Sequence, residues 1–248
     1  MKKLNWLFVM MSLTVLPILQ SCSESDGYSL GDVAYPNWAT TRVTGSTFYL
    51  DSDTWGTLLP MYVTLDCYHP VDGQRILTTF NPLYDNYEGY DHAVMIDRVW
   101  PALTKGVETL TPENEEEYGN DPVWIYQGDL TISGGYMNII FLQNLPQNPG
   151  TKHRISLVQR EATEGDADSD GYIHLELRYN NYDDVSGVGA YGLVSYNLGE
   201  LGITSETKGI KLKLNSEKNG EVELTFEMKD SNTTAKSTNF DFSKMQLQ

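Results

Sequence analysis

The sequence predicts an all-β protein with two domains, a small N-terminal barrel followed by a C-terminal antiparallel β-sandwich. The chain contains 16 Tyr and 21 Gly, spread among many Thr, Val and Ile, a composition typical of strands and turns. Its first part carries short apolar runs separated by turn signals, whereas its second part carries longer segments in which apolar and polar residues alternate. One short helix or helical turn is expected near the domain boundary.

Residues 1–21 have the features of a secretory signal peptide that is removed. Two lysines precede an apolar segment that ends at Leu19, and this segment is too short and too interrupted to span a bilayer. Ser21 followed by Cys22 fits lipoprotein processing, in which the Cys22 thiol is acylated and becomes the new N-terminus. Residues 22–27 are therefore expected to form a lipidated tether. The alternative is an ordinary secreted protein with a chance cysteine near its cleavage site.

A lipidated Cys22 predicts attachment to the cell envelope through acyl chains, at the outer membrane of a Gram-negative bacterium, with the membrane face left open. The formal net charge of −17 repels nucleic acid and anionic lipid headgroups, so neither is an expected partner. Once Cys22 is acylated, Cys67 is the only remaining thiol, and no intrachain disulfide is expected.

Residues 28–108 are predicted to form the barrel. Several short strands in so short a segment favour a small closed sheet. The last of them, Ala93 to Ile96, is an unbroken apolar run suited to burial on both faces. The expected strands are residues 39–44, 47–50, 61–67, 74–80 and 93–96.

Residues 109–120 are predicted to be a linker with one short helix. Thr111 can cap a helix, Pro112 suits its first position, and the glutamates that follow complement the positive end of the helix dipole. Gly119 is expected to end the helix.

Residues 121–230 are predicted to form the sandwich, and residues 231–248 a polar tail. Gly134-Gly135 and Asn219-Gly220 are hairpin signals. About seven strands with one apolar face each must pair face to face. The expected strands are residues 130–133, 136–142, 153–159, 172–179, 191–198, 210–214 and 222–228.

Beyond these patterns, several segments follow the lipid-attachment motif in a recognisable order. They are GYSLGD at 27–32, DGQRIL at 72–77, GYD at 89–91, LTK at 103–105, GNDP at 119–122 and GYIHLELR at 171–178. With these segments, the chain resembles the NigD-like lipoproteins over nearly the whole mature chain. The resemblance implies an OB-like barrel followed by a β-sandwich. The activity of that family is not established, although a link to bacteriocin gene clusters suggests an immunity or accessory role, and it has no described catalytic residues to carry over.

Asp166, Asp168 and Asp170 form the sharpest local motif, and they depart from the family pattern. Three carboxylates at alternating positions before Gly171 are what a calcium loop uses. The twelfth position, where a bidentate Glu is needed, is Leu177, and the flanking segments are predicted strands rather than helices. A solvated acidic hairpin turn therefore remains the alternative, and no other cofactor is expected.

His174, Glu176 and Arg178 alternate along one predicted strand, so their side chains share a face. They could meet at a metal ion or a carboxylate substrate, or they could form cross-strand charge pairs on a wet sheet. Ser205 and Lys208 match Ser-x-x-Lys but lie in a predicted loop without the companion motifs of penicillin-recognising enzymes.

The sequence predicts no catalytic residues and favours a non-enzymatic accessory, interaction or immunity factor with an envelope protein as partner. Two alternatives remain. Aromatic residues such as Trp38, Trp55, Trp100 and Trp124 could belong to a glycan-binding module. Catalytic residues dispersed in sequence could form a hydrolase, which a pocket with paired carboxylates would indicate.

Overall fold

A computed structural model describes residues 34–63, 68–126, 128–148, 150–161, 170–227 and 233–234. The all-β prediction is confirmed, since these residues form strands β1 to β15 and one four-residue helix. Within these ranges, no helix has the length and apolar character needed to cross a membrane. The signal peptide, Cys22, Cys67, Asp166 and Asp168 lie outside the described residues.

The first five strands close into a barrel in the order β1-β2-β3-β5-β4. β3 and β5 are parallel, and the other pairs are antiparallel. β4 and β5 are longer than predicted because they continue as a hairpin as far as the pair Tyr87 and Tyr90. The strands are β1 Ala34–Thr44, β2 Thr47–Ser52, β3 Gly56–Val63, β4 Arg75–Tyr87 and β5 Tyr90–Pro101.

The barrel encloses its own hydrophobic core. The Phe80 ring is fully buried at its centre, and Trp55 contacts it edge to face at 5.5 Å between centroids. Ala93, Val94 and Ile96 are buried as predicted for β5. The buried cluster consists of Ala39, Leu50, Leu58, Ile76, Phe80, Val94 and Ile96.

The segment after the barrel differs from the predicted linker. β6 (Leu103–Gly106) and β7 (Glu108–Leu110) each join a different sheet of the sandwich, as parallel neighbours of strands much later in the chain. The change from barrel to sandwich therefore comes after Pro101, earlier than the predicted boundary at residue 108. Short-range sequence patterns cannot show such a distant pairing.

The predicted helix is present but shorter, as α1 (Glu115–Tyr118). Thr111 is not its cap, because β7 extends to Leu110 and a turn follows. In that turn Asn114, the residue before the helix, accepts the backbone N–H of Thr111 through Oδ1 at 2.8 Å. Gly119 ends the helix as predicted, at a φ of 65° that favours glycine.

The remaining strands form the predicted sandwich. The first sheet has the order β15-β8-β9-β12-β6, and the second sheet has the order β14-β13-β11-β10-β7. β11 and β13 are parallel rather than antiparallel, because β12 between them in sequence belongs to the other sheet. The strands are β8 Leu130–Ser133, β9 Tyr136–Asn144, β10 Arg154–Arg160, β11 Tyr172–Asn180, β12 Gly189–Asn197, β13 Gly209–Ser216, β14 Gly220–Glu227 and β15 Thr233–Thr234.

The side chains alternate across each sheet as the sequence pattern requires. Leu175 and Leu177 of β11 point into the core between the sheets, where Met137 and Ile139 of β9 meet them as part of one buried cluster. Asn138 lies between these two β9 residues, so it faces outward from the first sheet, toward the barrel.

A buried ion pair joins the barrel to this outer face. The Arg75 side chain is fully buried, and its Nη1 and Nη2 donate to the two carboxylate oxygens of Asp53 at 2.7 and 2.6 Å. Nη2 also donates to Asn138 Oδ1 at 3.0 Å, and Ser133 Oγ donates to Asp53. We call Asp53, Arg75, Ser133 and Asn138 the interdomain cluster. Both domains supply its members, so it fixes the barrel against the first sheet.

Candidate interaction surface

The loop at residues 181–188, between β11 and β12, has an unusual backbone. Tyr182 and Asp183 have φ angles of 50° and 57°, and two successive non-glycine residues in the left-handed region carry conformational strain. Such strain persists only where surrounding contacts hold the chain in place.

Hydrogen bonds hold this loop at three places. Asp121 Oδ2 accepts the backbone N–H of Asn181 at 2.8 Å. The Asp184 carboxylate accepts the backbone N–H groups of Gln147 and Asn148 at 3.0 and 3.1 Å, which lowers its pKa. His153 Nε2 lies 2.7 Å from the Asp184 carbonyl oxygen. These hydrogen bonds hold the loop in one conformation against the neighbouring segments.

His153 connects the loop to the sandwich core. A carbonyl oxygen can only accept, so Nε2 donates to the Asp184 carbonyl. Nδ1 lies 2.6 Å from the Tyr179 hydroxyl, which also donates to Gln143 Oε1 at 3.3 Å. Burial, together with the charge of Asp121, raises the pKa of Tyr179 to about 12, so its hydroxyl keeps its proton.

A cleft of about 330 Å³ lies beside the loop. Trp124, Leu142, Tyr179 and Val185 give it apolar walls, and Glu217 adds a carboxylate to its lining. The indole N–H of Trp124 is buried and has no hydrogen-bond partner among the described residues. An unsatisfied buried donor costs free energy, so the position of Trp124 is held by the packing around it.

Exposed apolar side chains also lie on the loop and at the start of β12. Val188 is 73% exposed and Tyr191 is 61% exposed. Tyr191 lies directly opposite Leu142 in the β9–β12 ladder, so both side chains occupy the outer face of the first sheet. We call Trp124, Leu142, Tyr182, Val185, Val188 and Tyr191 the loop surface. Adjacent exposed apolar groups of this kind mark interaction sites more often than isolated ones do.

The loop surface was not among the predicted sites. A signal for it exists, because apolar residues recur within the Asn-, Asp- and Gly-rich segment of residues 180–192, where a solvated loop needs none. What the sequence cannot show is that Trp124 and Leu142 lie beside this segment.

Of the predicted calcium ligands, the structure describes Asp170 alone. Lys211 Nζ lies 2.6 Å from its carboxylate, the backbone N–H of Tyr172 donates to it at 2.9 Å, and His174 Nε2 lies at 3.3 Å. The Lys211 hydrogen bond, followed by that of Tyr172, lowers the pKa of Asp170. Its carboxylate thus has partners within the protein, and calcium binding stays a prediction for the loop.

His174, Glu176 and Arg178 share the outer face of the second sheet, as predicted. Glu176 pairs with Arg178 at 2.5 Å and with Arg160 at 3.1 Å, and both arginines also reach Glu115 of α1. This is cross-strand charge pairing. In the described part of the chain, no group of three or more His, Cys, Asp or Glu side chains is placed to hold a metal ion.

The cleft above this network is the place where a hydrolase would have its paired carboxylates. It measures about 450 Å³ and contains Glu176, Glu221 and Glu223. Glu176 is bonded to two guanidinium groups, and Glu221 accepts the Asn120 amide at 3.1 Å. Glu176 therefore belongs to the salt-bridge network of Arg160 and Arg178.

The other predicted features do not assemble into a site. Lys208 Nζ donates to the Asp170 carbonyl oxygen, and Ser205 lies exposed in a turn, so Ser-x-x-Lys forms no catalytic pair. Trp55 packs on the barrel core, and Trp38 lies 5.9 Å from the Arg75 guanidinium. Trp124 is the predicted tryptophan that lines a cleft beside the loop.

The Glu108 carboxylate has a pKa well below its ordinary value. Partial burial raises its pKa, but hydrogen bonds from Lys105, Tyr118 and Ser156 and the charge of Lys105 outweigh this and lower it from 4.5 to about 2. Arg154 Nη2 also donates to it at 2.8 Å. Since the folded-state pKa is below the unfolded value, Glu108 stabilises the fold above pH 4.5, and this contribution is lost as the pH falls toward 2.

We expect Glu108→Gln to lower the free energy of unfolding at pH 7 by about 1 to 3 kcal/mol, because charged hydrogen bonds to Arg154 and Lys105 are lost. The difference from wild type should shrink as the pH falls from 4.5 to 2. Urea unfolding across this range measures it. Glu117→Gln, which removes a more exposed partner of Arg154, is the control and should cost less. A difference that is independent of pH would contradict the assignment.

Two family descriptions match the chain. Residues 40–100 match the NigD-like N-terminal OB domain, and residues 106–228 match the NigD-like C-terminal beta sandwich domain. No curated protein matches.

Three solved structures are similar over most of their length. A protein of unknown function from Bacteroides vulgatus is 27% identical with a TM-score of 0.70, covering 80% of this chain and 92% of its own. A protein from Parabacteroides distasonis, provisionally described as toxin-related, is 29% identical with a TM-score of 0.65. The match covers 81% of this chain and 94% of the other. A NigD-like immunity protein from Bacteroides caccae is 17% identical with a TM-score of 0.56. The match covers 79% of this chain and 93% of the other, and at this identity it shows only that the fold is shared.

Proposed function

Because this chain belongs to the NigD-like family, with its OB domain and β-sandwich domain, we propose that it is a non-enzymatic, lipid-anchored protein of the bacterial cell envelope. It acts through contacts with an envelope protein, as an accessory, interaction or immunity factor. The immunity role draws on the name of the Bacteroides caccae structure.

The anchor is supported by the sequence before the barrel. Ser21-Cys22 follows a basic and apolar segment in the order that lipoprotein processing requires. The acyl chains on Cys22 hold the protein at the membrane, and the outer membrane is the proposed location. The net charge of −17 gives the polypeptide no attraction for anionic headgroups.

The non-enzymatic character is supported by the state of the polar clusters. Glu176 and Asp170 are counter-ions to Arg and Lys side chains, and His153 joins the loop to Tyr179. Within the described ranges, these groups are engaged in holding the fold.

The loop surface is the observation that carries the proposal. It combines exposed apolar side chains, such as Val188 and Tyr191, with a backbone that hydrogen bonds hold in one conformation. A rigid apolar surface loses little conformational entropy on binding, which favours recognition of a folded partner.

A site-specific photocrosslinker tests the proposal in native membranes. It replaces Val188, which is 73% exposed, and in the matched control it replaces Val71 of the barrel, which is 56% exposed. We expect a discrete protein adduct from position 188 and not from position 71, and a loss of this adduct in the Cys22→Ala form. Identical adducts from both positions, or no protein adduct at position 188, would refute the proposal.

We further expect Val188→Asp to weaken capture of that partner by about tenfold, because a charge in the centre of an apolar contact must be desolvated. The variant should fold normally, since the side chain is exposed. Quantitative binding of the crosslink-identified partner measures the effect, with Val71→Asp as the control. Equal binding by the two variants would place the contact elsewhere.

A further inference from the structure

A group of tyrosines lies at the end of the β4–β5 hairpin of the barrel. The rings of Tyr84 and Tyr87 are stacked, with centroids 5.7 Å apart and planes at 26°. Tyr87 and Tyr90 are cross-strand partners, and Tyr90 contacts Tyr49 of β2 at 5.4 Å. We call Tyr49, Tyr84, Tyr87 and Tyr90 the tyrosine platform.

Core packing does not account for this platform. Tyr84 is 59% exposed, and none of the four rings belongs to the buried cluster of the barrel. Tyr87 stacks against one side of the Tyr84 ring, yet Tyr84 remains 59% exposed, so much of this ring is open to a ligand. The platform therefore presents the Tyr84 ring to solvent.

The backbone around the platform is fixed by the hairpin. Asn86 and Glu88, on either side of Tyr87, have φ angles of 50° and 49°, and a glutamate in the left-handed region is strained. Asp91, just after Tyr90, is held by the backbone N–H and the hydroxyl of Thr57 at 2.7 and 2.8 Å. These contacts fix the backbone of the hairpin that carries the rings.

The hairpin that carries the rings also carries exposed polar groups. Asp85, Asn86 and Glu88 all lie exposed on the same hairpin, and Asp85 pairs with His92 at 2.6 Å. Carboxylate and amide groups beside an aromatic face are the groups that hydrogen-bond sugar hydroxyls while the ring contacts the apolar face of the sugar. The local charge is acidic, so it opposes sulfated or uronic-acid glycans.

From this combination we infer that the tyrosine platform binds a neutral saccharide, with a sugar ring stacked on the exposed Tyr84 ring. A protein partner is disfavoured here, because charged groups are depleted from the centres of protein interfaces and here they lie on the same hairpin as the rings. Nucleic acid bases would stack equally well, but their phosphates meet the acidic side chains. The site lies on the barrel and is independent of the loop surface.

The test uses the soluble Cys22→Ala chain with maltohexaose, cellohexaose and mannohexaose as neutral probes, and a heparin hexasaccharide as the anionic probe. Saturation-transfer NMR detects binding, and calorimetry gives Kd. We expect one neutral probe or more to bind with Kd below about 1 mM. Tyr84→Ala should weaken that binding about tenfold, whereas Tyr84→Phe should retain it because stacking needs only the ring.

Tyr62→Ala is the matched control, since Tyr62 is 66% exposed on the same barrel but outside the platform. It should leave Kd unchanged. The inference is overturned if no neutral probe binds, if the heparin probe binds as tightly, or if Tyr62→Ala weakens binding as much as Tyr84→Ala does. It is also overturned if a photocrosslinker at Tyr84 captures a protein from native membranes while the saccharides fail to bind.

Discussion

Replacing Asp53 with alanine should lower the free energy of unfolding by about 3 to 5 kcal/mol, because it leaves the Arg75 guanidinium buried without a counter-ion. Arg75 is fully buried, and Asp53 accepts from both of its Nη atoms. Thr40 and Asn138, the other side chains that accept from the guanidinium, are neutral. Neither can replace the lost charge.

Urea unfolding of the Cys22→Ala form measures this loss. Asp51, two residues earlier, offers the control, since it forms an exposed pair with Arg42 at 3.5 Å, and such pairs contribute little. Asp51→Ala should therefore leave the unfolding curve almost unchanged. Similar curves for the two variants would mean that the interdomain cluster is not a stabilising contact.

Replacing Phe80 with alanine should cost a similar 3 to 5 kcal/mol, about the range expected for a buried aromatic ring. Among the described residues, the buried cluster of the barrel has seven members, whereas that of the sandwich has 20. A small domain has little stability to spare. We therefore expect the variant to lose the barrel while the sandwich stays folded, so that unfolding occurs in two steps.

Hydrogen exchange read by mass spectrometry can locate this loss. In Phe80→Ala, protection should fall in β1 to β5 and persist in β9 and β11. Phe226→Ala removes the same ring from the sandwich, where it is also fully buried, and should lower protection in β13 and β14. If both variants lose protection uniformly, the two domains unfold as one unit and the expectation is wrong.

The parts of the fold that sequence predicted best are those set by local periodicity. β11, β13 and β14 alternate apolar and polar residues, and Asn219-Gly220 marks the turn between the last two. A strand with one wet face has this pattern whatever its neighbours are. The helix was harder to place, because Thr111 and Pro112 resemble a helix start while the chain there is still leaving β7.

Local periodicity could not predict the interdomain cluster or the loop surface, because their members lie far apart in the sequence. Arg75 meets Asp53 across 22 positions and Asn138 across 63, and nothing local distinguishes these residues from surface polar groups. The same holds for Trp124 and the loop at residues 181–188. Contacts of this kind arise from the packing of domains and sheets, which depends on the whole chain.

The short connection between the domains has a mechanical consequence. Ala102 alone separates β5 from β6, so the chain has no slack with which to relieve tension between the barrel and the sandwich. β6 runs parallel to β12 over the pairs from Leu103–Val194 to Gly106–Asn197. A pull along β6 therefore loads these hydrogen bonds together, in shear, rather than one after another. If the protein is tethered at its N-terminal end and a partner binds the sandwich, this strand would transmit force between them without extending.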